Sequence, residues 1–145
     1  MAVDLLLQLA ELRHDAEYRR RAVFVLESLA EPMLRFPTAF GHLLGCADME
    51  LHGAIEVALV GSGQSPELRA LERAVAAEYL PALVLAGGPP GDEHVVKLLD
   101  GRPLVDDQPT AYVCRGYACD KPVTDVDSLA EQLENAAKAG AAVTA

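Results

Sequence analysis

The feature that most constrains this chain is a change of hydrophobic period near its middle. Residues 54–60, Ala-Ile-Glu-Val-Ala-Leu-Val, are short, β-branched and almost continuously apolar. A run of that kind reads as a strand buried on both faces. Gly61-Ser62-Gly63-Gln64 follows as a turn, Ser65 suits a helix N-cap, and Pro66 suits the first helical position. Leu68, Leu71, Ala74, Val75 and Tyr79 then recur at helical spacing, Pro81 ends that helix, and residues 82–86, Ala-Leu-Val-Leu-Ala, read as a second buried strand. Strand, helix and strand so closely spaced make a βαβ unit. Its strands are expected to be parallel, joined by a right-handed crossover, with Val57, Leu59, Leu83 and Leu85 fully buried at the sheet centre.

Helices are expected on either side of this unit. Leu5, Leu6, Leu9 and Leu12 mark a first helix, and Arg13-His14-Asp15 a turn in which Asp15 caps a second helix carrying Ala16, Ala22, Val23, Leu26 and Leu29. Pro32 is expected to stop that helix or to fall just beyond its end. Pro37 is expected in the first turn of a third, with Phe40, Leu43, Leu44 and Ala47 on its apolar stripe. Leucines 5, 6, 7, 9 and 12 surround more than one face of the first helix, which predicts an exposed apolar patch along helices one and two. Further on, residues 95–99 read as a short strand or helical turn, and residues 110–115 and 118–123 as strands. A last helix starting near 125–128 is expected to bury Val126, Leu129, Ala130, Leu133 and Ala137. The fold class is α/β: an N-terminal helical segment over residues 1–48, a small mixed-sheet module over 49–140, and a flexible tail over 141–145.

Charge narrows the partners. Twenty-two acidic against 12 basic residues give a net charge of −10 in 145 residues. That field repels phosphate backbones and anionic headgroups, so neither nucleic acid nor membrane is expected as a partner. The basic cluster Arg19-Arg20-Arg21 is expected to be a solvated helix face. The leucine-rich start carries Asp4 and lacks a basic leader region, and three cysteines without an export signal predict a reducing cytoplasm.

Two of the cysteines are placed by the strand pattern. Strands 110–115 and 118–123 leave Gly116-Tyr117 as a two-residue connection, and glycine at the first turn position fits a type II′ hairpin. Cys114 and Cys119 then face each other as a non-hydrogen-bonded pair. Cα atoms in such a pair lie about 4.5 Å apart, at the short edge of what a disulfide accepts. Three readings stay open: two small side chains packed on one face, a strained bridge that a reducing cytosol keeps mostly open, or half of a zinc site.

The stretch 111–125, Ala-Tyr-Val-Cys-Arg-Gly-Tyr-Ala-Cys-Asp-Lys-Pro-Val-Thr-Asp, resembles the closing segment of the thioredoxin-domain-containing proteins related to YyaL and to the spermatogenesis-associated thioredoxin-like protein. Its C-x4-C-x2-P motif is the specific part. Residues 5–29 look like a helix pair of that family's helical toroid, and Phe36-Pro37-Thr38-Ala39-Phe40 and the strand ending at Val60-Gly61 have similar settings. The resemblance implies a thioredoxin-like domain followed by an α/α toroid similar to sugar epimerases and glycosidases. This sequence has no C-x-x-C and too few helices for a toroid of about twelve. It therefore implies a C-terminal module or fragment that packs on the remainder of such a protein, or self-associates through its N-terminal helices. Alternatives are one wall of a carbohydrate-active site, and a redox element using Cys114 and Cys119. No cofactor is expected.

Other candidates are weaker. His42, Cys46, Asp48 and His52 form an H-x3-C-x-D-x3-H cluster, and His42 and Cys46 share a helix face as zinc ligands would. Gly61, Ser62, Gly63 and Ser65 lie at a helix N-terminus, where backbone N–H groups can hold an anion, but Pro66 stands where a dinucleotide fingerprint has its third glycine. Asp106-Asp107, Glu72 and Glu78 are the obvious carboxylates for glycoside chemistry and are expected to be solvated.

Overall fold

A computed structural model of the chain describes residues 1–63, 65–116 and 118–141. The chain starts with α1 (Ala2–Arg13) and α2 (Ala16–Ser28). His14 turns between them in the left-handed region at φ 50°, and Asp15 Oδ1 accepts from the Glu17 N–H at 2.9 Å, as an N-cap should. Pro32 falls beyond the end of the second helix, the second of the two expected placements. That helix ends at Ser28, and Pro32 lies in the first turn of a short α3 (Ala30–Arg35), where a missing N–H is no loss. Pro37 likewise opens only a single 3₁₀ turn, Pro37–Ala39, before α4 (Gly41–His52), which runs past residue 48.

The strands follow the period-2 logic. β1 (Ile55–Val60) is buried at every position. After it come α5 (Pro66–Ala77), capped by Ser65 Oγ accepting from Leu68 N–H at 3.1 Å, and β2 (Leu83–Gly88). The loop beyond carries a 3₁₀ turn at Lys97–Leu99, then β3 (Thr110–Arg115), β4 (Ala118–Cys119) and α6 (Val126–Ala141). Among the described residues the sheet order is β2-β1-β3-β4, with β1 and β2 parallel and the other pairs antiparallel.

Alternation divides the core into two layers. Ile55, Val57 and Leu59 of β1 join Ala111 and Val113 of β3 beneath Leu71 and Val75 of α5 and Leu129 and Leu133 of α6. Ala58 and Val60, with Val84, Ala86 and Tyr112, pack on the opposite face against Leu7 of α1, Leu26 of α2 and Met49 of α4. The helical segment and the sheet thus share one interior, in a three-layer α/β fold.

Three expectations need correction. Leu83 is half-buried and Leu85 is 46% exposed, because β2 is an edge strand and not a central one. The strand expected over 118–123 pairs regularly only at Ala118–Cys119. Asp120 N–H donates to Val113 O at 2.9 Å, and pairing resumes where Ala111 and Val123 exchange hydrogen bonds of 2.8 and 3.0 Å. Two residues of β3 therefore oppose three of the returning arm, a bulge that carries Lys121-Pro122. On α6, Leu129 and Leu133 are fully buried, but Val126 and Ala137 are exposed and Ala130 is only half-buried, which narrows its apolar stripe. Residues 142–145 of the expected tail lie outside the described residues.

Arg115 closes the lower end of the sheet. Its guanidinium donates to His52 O at 2.9 and 3.2 Å, to Gly53 O and to Ala136 O, tying β3 to the carbonyl end of α4 and to the body of α6. The burial of β1 sets an expected outcome. Leu59→Ala should lower stability by about 2–5 kcal/mol, and Leu85→Ala by well under half of that, because the first opens a cavity and the second does not. Urea unfolding of the two variants checks the difference, and equal losses would contradict this sheet order.

Candidate functional site

Polar groups gather on the helix-covered α1 face of the sheet, in a single row across three strands. Glu56 of β1 stands opposite Cys114 of β3, and Cys114 stands opposite Cys119 of β4. The two cysteines are joined by a disulfide, with Cα atoms 3.9 Å apart. The structure thus holds a bonded pair in place of two separate thiols packed side by side. Gly116 takes φ +54°, as the first residue of a primed two-residue turn requires, while Tyr117 lies outside the described residues. The pair is asymmetric: Cys114 is 2% exposed, whereas Cys119 is exposed on the short outer strand.

Arg102 completes the row from the loop below. Gly101, at φ +68°, lets the chain reverse there. The Arg102 Nε donates to Leu98 O at 2.6 Å, and its guanidinium lies 5.0 Å from the centre of the Tyr112 ring. Tyr112 is fixed in turn by donating to Pro103 O at 2.6 Å. Both terminal nitrogens of Arg102 are 3.3 Å from Cys114 Sγ and 3.8–3.9 Å from Cys119 Sγ.

Glu56 has no solvent side to turn to, since β1 is covered on both faces. It hydrogen-bonds the side chain of Glu11, another buried carboxyl, which is ion-paired to Arg19. Burial, and then the Glu11 carboxyl, push the Glu56 pKa up to about 7, against the opposing pull of Arg102 and Arg19. Arg19 also reaches Glu50 at 3.7 Å, whose pKa is raised mainly by burial. The arginine cluster is therefore split. Arg20 and Arg21 pair with Glu17 on the exposed face as expected, while Arg19 turns inward.

The remaining candidates are dispersed. His42 is exposed and lies 3.7 Å from Asp4, Cys46 is buried with its thiol pKa raised by that burial, and His52 pairs with Asp48 at 2.9 Å. The described residues contain no cluster of three ligands of this kind. In the loop after β1, Gly61 N–H donates to Gly88 O at 2.9 Å and Ser65 is engaged as a cap. Ser62 and Gly63 are exposed beside a shallow hollow of about 420 Å³ that Glu72 also lines. Asp106 and Asp107 both have positive φ, 50° and 57°, at the tip of a tight turn closed by Val105 and Gln108, and both are exposed.

The residues that sequence reasoning missed are Glu56, Glu11, Arg19 and Arg102. Only Glu56 left a signal: a lone charge inside a run that reads as buried on both sides.

Comparison with known proteins agrees with the spread of the resemblance. The chain is similar to spermatogenesis-associated protein 20 of Homo sapiens, 28% identical over 132 residues that cover 88% of this chain and 17% of the relative. The Rattus norvegicus and Mus musculus proteins of the same name are each 26% identical over the same extent. The chain thus spans about one sixth of the length of these relatives. No family model matches, and no solved structure matches.

The Glu56 carboxyl makes stability depend on pH. The unfolded chain releases this proton near 4.5 and the folded chain near 7, so the folded state binds more protons between them. The stabilisation is fully present below the lower value and is lost as pH rises through the upper one. Urea unfolding should show stability falling across that window by roughly 1–3 kcal/mol, with Glu56→Gln flattening the slope. An unchanged slope in the variant would remove Glu56 as its source.

Proposed function

We propose that this chain works as a non-catalytic α/β module that packs against the rest of a larger protein of the spermatogenesis-associated kind. The observation that carries the reading is the extent of the match: most of this chain, but 17% of the relatives. The thioredoxin-like and toroidal regions implied by the resemblance would then hold whatever chemistry the larger protein performs, with the assembly in the cytoplasm. Among the described residues no helix is long and apolar enough to cross a membrane.

The N-terminal helices offer the packing face. Leu5 of α1, Phe24 of α2, Leu34 of α3 and the adjoining Phe36 are all exposed, with Phe24 at 70%. Phe24 and Val23 border a shallow groove of about 460 Å³ between Arg20 and Glu27. We assign this face to an apolar helical surface elsewhere in the larger polypeptide. A second copy is disfavoured, because each copy carries a charge of −10 and the pair would repel. The carbohydrate-site alternative draws no support from Glu72, Glu78, Asp106 or Asp107, all of them exposed.

The isolated chain should bind an apolar fluorescent dye, and the double variant Phe24→Ser, Leu34→Ser should bind much less while keeping its circular dichroism. Sedimentation velocity completes the test. A parent that forms dimers dispersed by the same double variant would assign the face to self-association, and a parent monomer that binds no dye would overturn the docking reading.

A further inference from the structure

We propose that Cys114–Cys119 is a thiol–disulfide exchange site, attacked at Cys119 by an external thiolate and releasing Cys114 as a thiolate held by Arg102. This goes beyond the packing role and does not depend on it. Three observations on the same row of the sheet carry it.

First, the bridge contributes little to the architecture. It spans a sequence separation of 5, between residues that the hairpin already holds opposite each other, so it removes little freedom from the unfolded chain. Second, its ends are differently exposed. Cys119 sits on the exposed outer strand and Cys114 is buried, so an attacking sulfur meets Cys119 first. Third, a guanidinium is aimed at the buried sulfur. Arg102 is held by Leu98 O and the Tyr112 ring, and it lies closer to Cys114 Sγ than to Cys119 Sγ through both terminal nitrogens. A fixed cation beside a neutral disulfide gains little, whereas the same cation beside a thiolate gains a charge-assisted contact. That preference makes Cys114 the better leaving group.

The exchange balances as two displacements. A thiolate RS⁻ attacks Cys119 Sγ, the Cys114–Cys119 bond breaks, an RS–S bond to Cys119 forms, and the electron pair leaves on Cys114 Sγ beside Arg102. A second thiolate attacks the R-group sulfur, releasing RSSR and the Cys119 thiolate. Two external thiols are oxidised by two electrons and the protein disulfide is reduced to two thiols. Their two protons pass through solvent to the protein sulfurs as those are protonated. The reverse direction re-forms the bridge at the expense of an external disulfide. The co-reactant class is a thiol or dithiol, either a low-molecular-weight compound or a cysteine of another protein.

The test uses the whole 145-residue chain in glutathione buffers, with acid quench, alkylation and mass spectrometry. The expected result is a reversible two-electron transition confined to Cys114 and Cys119, with buried Cys46 a free thiol throughout. Arg102→Gln should slow opening by reduced glutathione about tenfold, and Arg102→Lys should recover most of the rate by restoring the charge. With oxidised glutathione, Cys114→Ser, which leaves Cys119 available, should form the mixed disulfide faster than Cys119→Ser. Three free thiols after oxidised glutathione, an unchanged rate in a folded Arg102→Gln, or faster reaction of Cys119→Ser than of Cys114→Ser would each overturn the proposal. Should Arg102→Gln fail to fold, the two serine variants still decide it.

Discussion

The structure depends on the double coverage of β1. A strand flanked by β2 and β3 and roofed by helices on both faces has no position that reaches water, so every residue on it must be apolar or internally paired. Five of its six residues meet that demand by packing, and Glu56 meets it by chemistry. Its carboxyl holds its proton up to about pH 7, leans on Glu11, and through Glu11 reaches Arg19 on the neighbouring helix. A single polar position in the central strand therefore ties α1 and α2 to the sheet beside the packing of Leu7 and Leu26, because a buried carboxyl without partners would be costly.

The same burial explains which parts were legible in the sequence. The βαβ unit, the Ser65 cap, the Asp15 cap and the opposition of Cys114 and Cys119 all follow from local rules of period, capping and turn length. The caps and the cysteine pairing were readable within a dozen residues, and the βαβ unit within one continuous stretch of chain. Strand order was not. Whether Leu85 faces a neighbour or solvent depends on where β3 inserts, and β3 lies more than twenty residues away through a loop with little regular structure. The bulge after Cys119 is hidden for a related reason: Pro122 falls inside a run whose apolar pattern reads as a strand, although it has no N–H to offer the ladder.

The polar row was harder still. Arg102 lies between Gly101 and Pro103 in a stretch without periodicity, and nothing near it announces that it will reach two sulfurs 12 and 17 residues further on. Arg19 sits in a run of three arginines whose average environment is solvent, and only the phase of α2 relative to α1 decides which of the three turns inward. Such side chains are placed by tertiary geometry, and their low-dielectric surroundings make each contact matter more than the same contact at the surface.

The edge position of β2 has a consequence of its own. An edge strand offers a ladder to any passing extended chain, and Leu85 makes this one partly apolar. Yet β2 ends in Gly87-Gly88 and runs directly into Pro89-Pro90, two residues that have no N–H to donate. A strand docking there would run out of donors just where it could begin to lengthen. The protein thus carries its own terminator against fibrous growth, written into the residues that end the sheet.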